Sequence, residues 1–134
     1  MKYEKSCGAV VIEDNKVLLV KHNIGHWGFP KGHVEGNETE KETAKREVKE
    51  ETNIEITIIS DNRYKITYSP KKGIEKDVIF FIARANSKDI YPQEIEISEV
   101  KFVNYESAKK LITYDEERKV LLAVISDLNS NNLT

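Results

Sequence analysis

The chain has a single cysteine, Cys7, among its 134 residues, so it cannot form an intrachain disulfide. No apolar run approaches the roughly 20 residues that a membrane-spanning helix needs. The N-terminus also lacks the basic and apolar segments of a secretory signal. We therefore expect a cytoplasmic protein with no membrane partner, in which Cys7 is a buried thiol of the core.

The chain also lacks a large net charge, which is −2 at pH 7. A surplus of basic residues is typical of proteins that bind nucleic acids, so we expect no stable nucleic-acid partner. Hydrophobic residues make up 39% of the chain and charged residues 33%, a balance that suits a globular protein. The length predicts one domain over residues 1–134, and both a monomer and a homodimer stay open.

The pattern of apolar residues predicts strands and helices in mixed order. Predicted strands cover 5–12, 17–21, 54–59, 64–68, 78–85 and 100–103, and predicted helices cover 40–52, 106–112 and 115–128. The second helix would begin near Ser107, a polar connector covers 69–76, and the tail 129–134 is expected to fray. Since strands and helices do not alternate regularly, the fold class is α/β or α+β with a mixed sheet.

The acidic segment in the middle of the chain has clear helix signals. Thr39 followed by Glu42 is a capping-box pattern, which predicts a helix that begins just after Thr39. Asn53 suits the left-handed residue at which such a helix ends. Ala44 and Val48 are one turn apart and are expected to pack this helix against the core.

Three carboxylates on this helix have an informative spacing. Glu47, Glu50 and Glu51 stand at i, i+3 and i+4, so they share one helix face and are expected to repel one another. A hard divalent cation such as Mg²⁺ takes oxygen ligands and would remove that repulsion. A solvated charged face is the alternative interpretation, and the residues before the helix favour the metal site.

The same segment resembles the signature of the Nudix hydrolases, which runs Gly, five residues, Glu, seven residues, Arg-Glu-apolar-x-Glu-Glu-x-Gly-apolar. The matching residues are Gly32, Glu38, Arg46, Glu47, Val48, Glu50, Glu51 and Ile54. The departure is Asn53, which stands where the family has glycine and can adopt the same backbone conformation. The resemblance implies the Nudix fold, an α/β/α sandwich around a mixed sheet. It also implies Mg²⁺-dependent phosphoanhydride hydrolysis, with Mn²⁺ as the alternative ion.

The resemblance also implies roles for these residues. It gives the metal ligands as Glu47, Glu50, Glu51 and the main-chain carbonyl of Lys31. Glu47 and Glu51 would be the main ligands and would take part in catalysis. Glu38 would not bind the metal itself but would support the residues that do. Arg46 would orient the glutamates by ion pairing.

The general base is expected to be a glutamate of the helix or of a later loop. Glu94, Glu96 and Glu99 crowd the loop before the predicted strand 100–103. We choose Glu96 as the base. Its two neighbours stay open as alternatives, as does the interpretation of all three as solvated loop acids.

Residues 26–35, HWGFPKGHVE, resemble the signature region of the asymmetrical diadenosine tetraphosphate hydrolases. The resemblance implies that Lys31 reaches substrate phosphates as a point charge. His26 would contact phosphate or donate a hydrogen bond to the substrate. Trp27 is better explained as a core residue.

A later segment resembles the part of those hydrolases that supplies an adenine-stacking tyrosine and a phosphate-binding lysine. The matching residues are Tyr68 and Lys76. Tyr114, just before the last predicted helix, would form the other side of an aromatic clamp. For each tyrosine, a purely structural role is the alternative.

The leading hypothesis is therefore an enzyme that cleaves diadenosine tetraphosphate to ATP and AMP. A second hypothesis keeps the chemistry and changes the substrate to a nucleoside triphosphate, an RNA 5′ end or a nucleotide sugar. A third is a non-catalytic Nudix domain that senses nucleotides. The presence of all three helix glutamates argues against the third.

Overall fold

The computed structural model describes residues 1–131 of the chain. Its elements are β1 (Lys2–Glu13), β2 (Lys16–His22), β3 (Trp27–Gly28), β4 (Lys31–His33), α1 (Glu40–Thr52), β5 (Ile56–Ile58), β6 (Tyr64–Tyr68), β7 (Ile74–Ala85), β8 (Ile97–Asn104), α2 (Tyr105–Leu111) and α3 (Asp115–Asn131). No helix in this described part is long and apolar enough to cross a membrane.

Strand β1 organises the sheet. It pairs in parallel with β7 along almost its whole length, and antiparallel with β4 at its middle and with β2 at its end. The strands β5 and β6 pair antiparallel with β7, while β3 and β8 pair antiparallel with β2. The sheet is therefore mixed, as predicted.

Helices cover both faces of this sheet. Side chains alternate along β1, so Cys7 points to one face of the sheet and Val10 points to the other. On the first face, Ala44 and Val48 of α1 are fully buried and belong to the core clusters there. On the second face, the apolar stripe of α3 packs against β1, β2 and β7: Val120, Leu121, Val124 and Leu128. This is the α/β/α sandwich that the resemblance implies.

The predicted features of α1 are confirmed. Thr39 is its N-cap, and the reciprocal hydrogen bonds of the capping box with Glu42 are present. Asn53 ends the helix in the left-handed conformation, with a φ of 66°. Cys7 and Trp27 are buried, as expected.

Several predicted bounds are wrong because strand length depends on the pairing partner. The predicted connector 69–76 is shorter, since β7 begins at Ile74 and pairs from there with β1, so Lys76 lies in a strand. Strand β8 exceeds the predicted 100–103 because β2 pairs with it over its full length.

The N-cap of α2 is Asn104, whose side chain accepts the Ser107 N–H at 2.8 Å.

The predicted tail also differs. Residues 129–131 continue helix α3 instead of fraying. The remaining tail residues, 132–134, lie outside the described residues.

Candidate active site

The glutamate face of α1 forms one wall of a cavity of about 440 Å³, which we call the acidic cleft. Its charged and amide side chains come from α1, from β4 and β7, and from the loops before α1 and β8: Lys31, Glu35, Glu47, Glu50, Glu51, Lys76, Gln93 and Glu96. The three helix glutamates thus share one cleft, as their spacing predicts. Both cations of the cleft, Lys31 and Lys76, are residues singled out as phosphate contacts.

Arg46 links the carboxylates of this region. Its guanidinium donates to Glu38 at 2.6 Å, to Glu47 at 2.8 Å and to Glu50 at 3.1 Å. The bonds that Glu38 accepts, first from Arg46 and then from the Glu35 N–H, hold its pKa well below the usual range, at about 2. The expected repulsion between Glu47 and Glu50 is present but reduced. Burial raises the pKa of Glu47, the bond from Arg46 opposes that rise, and the charge of Glu50 adds to it. Arg46, four residues before Glu50, bonds both carboxylates.

Glu51 is the most buried carboxylate of the acidic cleft. It is 6% exposed, and its Oε1 accepts the main-chain N–H of Lys31 at 3.3 Å. Burial raises the pKa of Glu51 to about 8; the charges of Glu47 and Glu96 add to this rise, and that of Lys31 opposes it. The charged form of Glu51 is therefore disfavoured, as expected from its acidic neighbours, and a bound cation would stabilise it.

Gly32 lets the helix approach the strand before it. A Cβ built on Gly32 would collide with the carboxylate of Glu47. The glycine of the signature therefore allows a carboxylate to lie directly against the main chain of β4. A side chain at this position would force the Glu47 carboxylate to move from where it lies.

The donor atoms of the acidic cleft suit a hard divalent cation. They are carboxylate oxygens beside the main chain of β4, and Mg²⁺ prefers such oxygen ligands. Within residues 1–131, no three His, Cys, Asp or Glu side chains already form a metal-binding group. Two of the carboxylates are instead bonded to Arg46. Because Mg²⁺ keeps several waters, it does not need a closed protein cage, and the residues fit it by their chemistry.

The structure separates the three loop glutamates. Glu96 lines the acidic cleft, and its charge contributes to the raised pKa of Glu51. Glu99 faces Lys101, with 3.4 Å between its carboxylate and the ammonium nitrogen. The loop that carries Glu96 is anchored, since the main-chain carbonyl of Glu96 accepts the N–H of Asn23 at 2.8 Å. Of Glu94, Glu96 and Glu99, Glu96 is placed to reach a ligand in the acidic cleft.

A second cavity of about 480 Å³, which we call the aromatic cleft, adjoins the first. His26, Tyr68 and Tyr114 line it, and Ile66 and Val78 form apolar wall. The rings of His26 and Tyr114 have centroids 5.5 Å apart. The structure thus brings together three predicted substrate-binding residues that are far apart in the sequence.

Lys31 and His22 line both clefts. Burial and, after it, the charge of Lys31 lower the pKa of Lys76, so the two ammonium groups share a poorly solvated region. A pair of cations in such a place attracts a polyanion. Burial and the charges of Lys31 and of the neighbouring His26 lower the pKa of His22 to about 4; the two imidazole centroids are 4.3 Å apart.

The residues of the two clefts that sequence reasoning missed include Ser6, His22 and Glu117. Ser6 is 1% exposed, lines the acidic cleft, and its hydroxyl has no hydrogen-bond partner among residues 1–131. Glu117 is 7% exposed and lines the aromatic cleft. A signal for Glu117 exists, because it continues the buried stripe of α3 one turn before Leu121. Nothing in the sequence distinguishes Ser6 or His22.

Comparisons with known proteins identify relatives over most of the chain. The family model described as NUDIX domain matches residues 2–124. The asymmetrical bis(5′-nucleosyl)-tetraphosphatase of Caenorhabditis elegans is 36% identical, over 89% of this chain and 86% of its own length. The enzyme of the same name from Mus musculus is 32% identical, over 87% of this chain and 90% of its own length.

A solved structure is also similar. The crystal structure of a C. elegans Ap4A hydrolase binary complex superposes with a TM-score of 0.83 and 31% identity. The similarity covers 95% of this chain and 98% of that one. It therefore extends well beyond the acidic helix.

Proposed function

Because the chain belongs to the Nudix hydrolase family, we propose that it hydrolyses phosphoanhydride bonds of nucleoside polyphosphates, with diadenosine tetraphosphate cleaved to ATP and AMP as its preferred reaction. The observation that carries this proposal is the junction of the two clefts at Lys31. One cleft supplies carboxylates and cations for metal and phosphates, and the other supplies aromatic faces for a base. A nucleotide with a polyphosphate chain needs both.

Members of this family generally use divalent metal ions, and we propose Mg²⁺, with Mn²⁺ as the alternative. Glu47, Glu50, Glu51 and the carbonyl of Lys31 would hold the ion. When bound, it would neutralise phosphate oxygens and lower the pKa of a coordinated water. Arg46 would keep Glu47 and Glu50 directed into the acidic cleft while Glu38 holds Arg46 from the other side.

Glu96 would act as the general base of this reaction. It lines the acidic cleft close enough to Glu51 to affect its pKa, and its loop is anchored at both the N–H and the carbonyl of Glu96. From this position its carboxylate accepts the proton of the water that attacks phosphorus. The proton then lies on a surface loop, from which solvent can take it.

The cationic and hydroxyl groups would hold the polyphosphate. Lys31, Lys76 and His26 contact phosphate oxygens in this proposal, and the unpaired Ser6 hydroxyl donates a hydrogen bond to one of them. A base would stack between Tyr68 and Tyr114 in the aromatic cleft. Stacking of this kind contributes about 1–3 kcal/mol per base.

Product analysis tests the proposal. The purified protein is incubated with Mg²⁺ and, separately, with diadenosine tetraphosphate, ATP, a nucleotide sugar and triphosphorylated RNA. ATP and AMP in equal amounts from the first substrate, at the highest kcat/KM of the four, is the expected result. Preference for ATP, the nucleotide sugar or RNA would support the second hypothesis. Saturable nucleotide binding without hydrolysis of any of the four would support a sensor.

A further inference from the structure

Glu117 occupies a position where a carboxylate is unfavourable for stability alone. It lies one turn before Leu121 on the buried face of α3 and is 7% exposed. Burial raises its pKa, which shows that the surroundings oppose the charged form. Replacing a buried charge by an apolar residue is often neutral or stabilising. The acid at this position therefore requires an explanation beyond packing.

One side of this carboxylate is held by the strand segment beside it. Its Oε1 accepts the N–H of Phe29 at 3.1 Å, and a Cβ built on Gly28 would collide with the carboxylate. Gly28 therefore gives the carboxylate direct access to the main chain. This contact fixes the orientation of Glu117 but uses one of about four acceptor sites of a carboxylate.

The rest of the carboxylate is available to the aromatic cleft. Among residues 1–131, the Phe29 N–H is the one hydrogen-bond donor to Glu117, and no lysine, arginine or histidine forms an ion pair with it. Glu117 lines the cleft together with Tyr68 and Tyr114. Its charge contributes to the raised pKa of Tyr68, so the two side chains lie close together.

We propose that Glu117 is the residue that reads the base: its oxygen not bonded to Phe29 accepts a hydrogen bond from an amino group of a purine stacked between Tyr68 and Tyr114. The aromatic faces hold any base, because every base has a π face. An acceptor at the edge of the stack adds a preference for a base that carries an N–H donor there, such as the exocyclic amine of adenine. This inference rests on the proposed function, since it needs the base to occupy the aromatic cleft.

Glu116 provides a matched control. It is adjacent in sequence and lines the same cleft, yet it is exposed and pairs with Lys119 at 3.2 Å. Its removal changes the charge at the cleft by the same amount as removal of Glu117. Water can satisfy its carboxylate, so it gives no preference for one base edge over another.

The test compares AMP with purine riboside 5′-monophosphate, which has the same ring and no amino group. Both are titrated into the wild-type protein and into Glu117→Gln and Glu116→Gln by calorimetry, so that no hydrolysis is needed. We expect the wild type to bind AMP about 10-fold more tightly, as one good hydrogen-bonded base contact gives. Glu116→Gln should keep this ratio.

Glu117→Gln separates base reading from anchoring. The amide oxygen of glutamine still accepts the Phe29 N–H, whereas its NH₂ group now meets the amine of AMP as donor against donor. We expect the ratio of the two affinities to fall to within about twofold of unity. Equal weakening of both ligands would instead mean that Glu117 only anchors Phe29, and would overturn the inference.

The wild-type protein also provides a test that does not depend on the folding of a variant. Equal affinity of the wild type for the two ligands would overturn the role of Glu117. In that case the affinities of Tyr68→Ala for the two ligands test whether the base binds in the aromatic cleft. If it weakens both ligands, the base does lie in the aromatic cleft, and if it weakens neither, the base-binding part of the proposed function is wrong as well.

Discussion

The acidic cleft and the aromatic cleft meet at Lys31, but they differ in how far apart in the sequence their residues lie. Glu47, Glu50 and Glu51 belong to one helix, whose periodicity alone puts them on one face. Tyr68 and Tyr114 lie on a strand and before a helix that are separated by two strands and a helix. The helix carboxylates proposed to hold the metal are thus encoded locally, whereas the proposed base Glu96 and the residues proposed for substrate choice are brought to the clefts by the fold. This division allows a substrate preference to change while the chemistry is kept.

The largest expected effect is that of Glu51→Gln, which tests the acidic cleft alone. The variant keeps the volume of the side chain and removes the buried charge, so the fold should persist. We expect kcat to fall by about 100- to 1000-fold, because charge stabilisation by a metal ion is worth several kcal/mol and 1.4 kcal/mol is tenfold. Steady-state rates and a Mg²⁺ titration by calorimetry measure it. Wild-type turnover would show that Glu51 does not hold the ion.

Lys31→Ala tests the junction of the two clefts. The variant keeps the main-chain carbonyl and removes the ammonium group. Since a hydrogen bond to a charged group contributes about 1.5–3 kcal/mol, kcat/KM for diadenosine tetraphosphate should fall by about 10- to 100-fold. The loss should be smaller for ATP, which has a shorter phosphate chain.

Lys41→Ala is the control for Lys31, because Lys41 pairs with Asp61 away from both clefts. It should leave both substrates unaffected. An equal loss for diadenosine tetraphosphate and ATP in Lys31→Ala would contradict a contact along the phosphate chain.

Tyr68→Ala tests the aromatic cleft alone. Loss of one stacking face should raise KM for adenine-containing substrates by about 5- to 100-fold, in line with about 1–3 kcal/mol per stacked base. The kcat should change little, since the acidic cleft is intact. Tyr91→Ala is the control, because Tyr91 is an exposed tyrosine that lines neither cleft. An unchanged KM would indicate that Tyr68 has a purely structural role.

The smallest expected effect concerns His22, which both clefts share. Its pKa is lowered to about 4. Between about pH 6.5 and 4, His22 is therefore protonated in the unfolded chain and neutral in the folded protein. The contribution of His22 to the free energy of unfolding should therefore decrease as the pH falls through this window. The raised pKa of Glu51 acts in the opposite direction, but its contribution is the same in the wild type and in a His22 variant, so the difference between the two proteins reports His22. Urea unfolding of the wild type and of His22→Gln at pH 7 and pH 4.5 measures the difference. A dependence on pH that is unchanged in the variant would contradict the assignment to His22.

Where sequence reasoning succeeded, it used local signals. The capping box at Thr39, the left-handed Asn53 and the buried pair Ala44 and Val48 all lie within one helix or next to it. Reasoning of the same kind failed where distant pairing decides. The start of β7 at Ile74 depends on β1, which precedes it by about 70 residues in the chain.

The site shows the same division between local and distant causes. From the sequence, Glu94, Glu96 and Glu99 were near equals, and the loop anchored to Asn23 places Glu96 in the acidic cleft. Arg46 was expected to orient the glutamates. Its bond to Glu50 was readable from the spacing, although the repulsion was overestimated.

By itself, the sequence determined the family signature, the bounds of α1 and the shared face of its three glutamates. The bounds of α1 and its shared face follow from capping and from hydrogen bonds between residues three and four apart, which are local in the sequence. Only the tertiary structure decided that Tyr68 and Tyr114 line one cleft, that the Ser6 hydroxyl faces the acidic cleft, and that the Glu117 carboxylate meets the main chain at Gly28. These neighbours are set by strand register and by the packing of α3 on the sheet, which depend on contacts between distant parts of the chain.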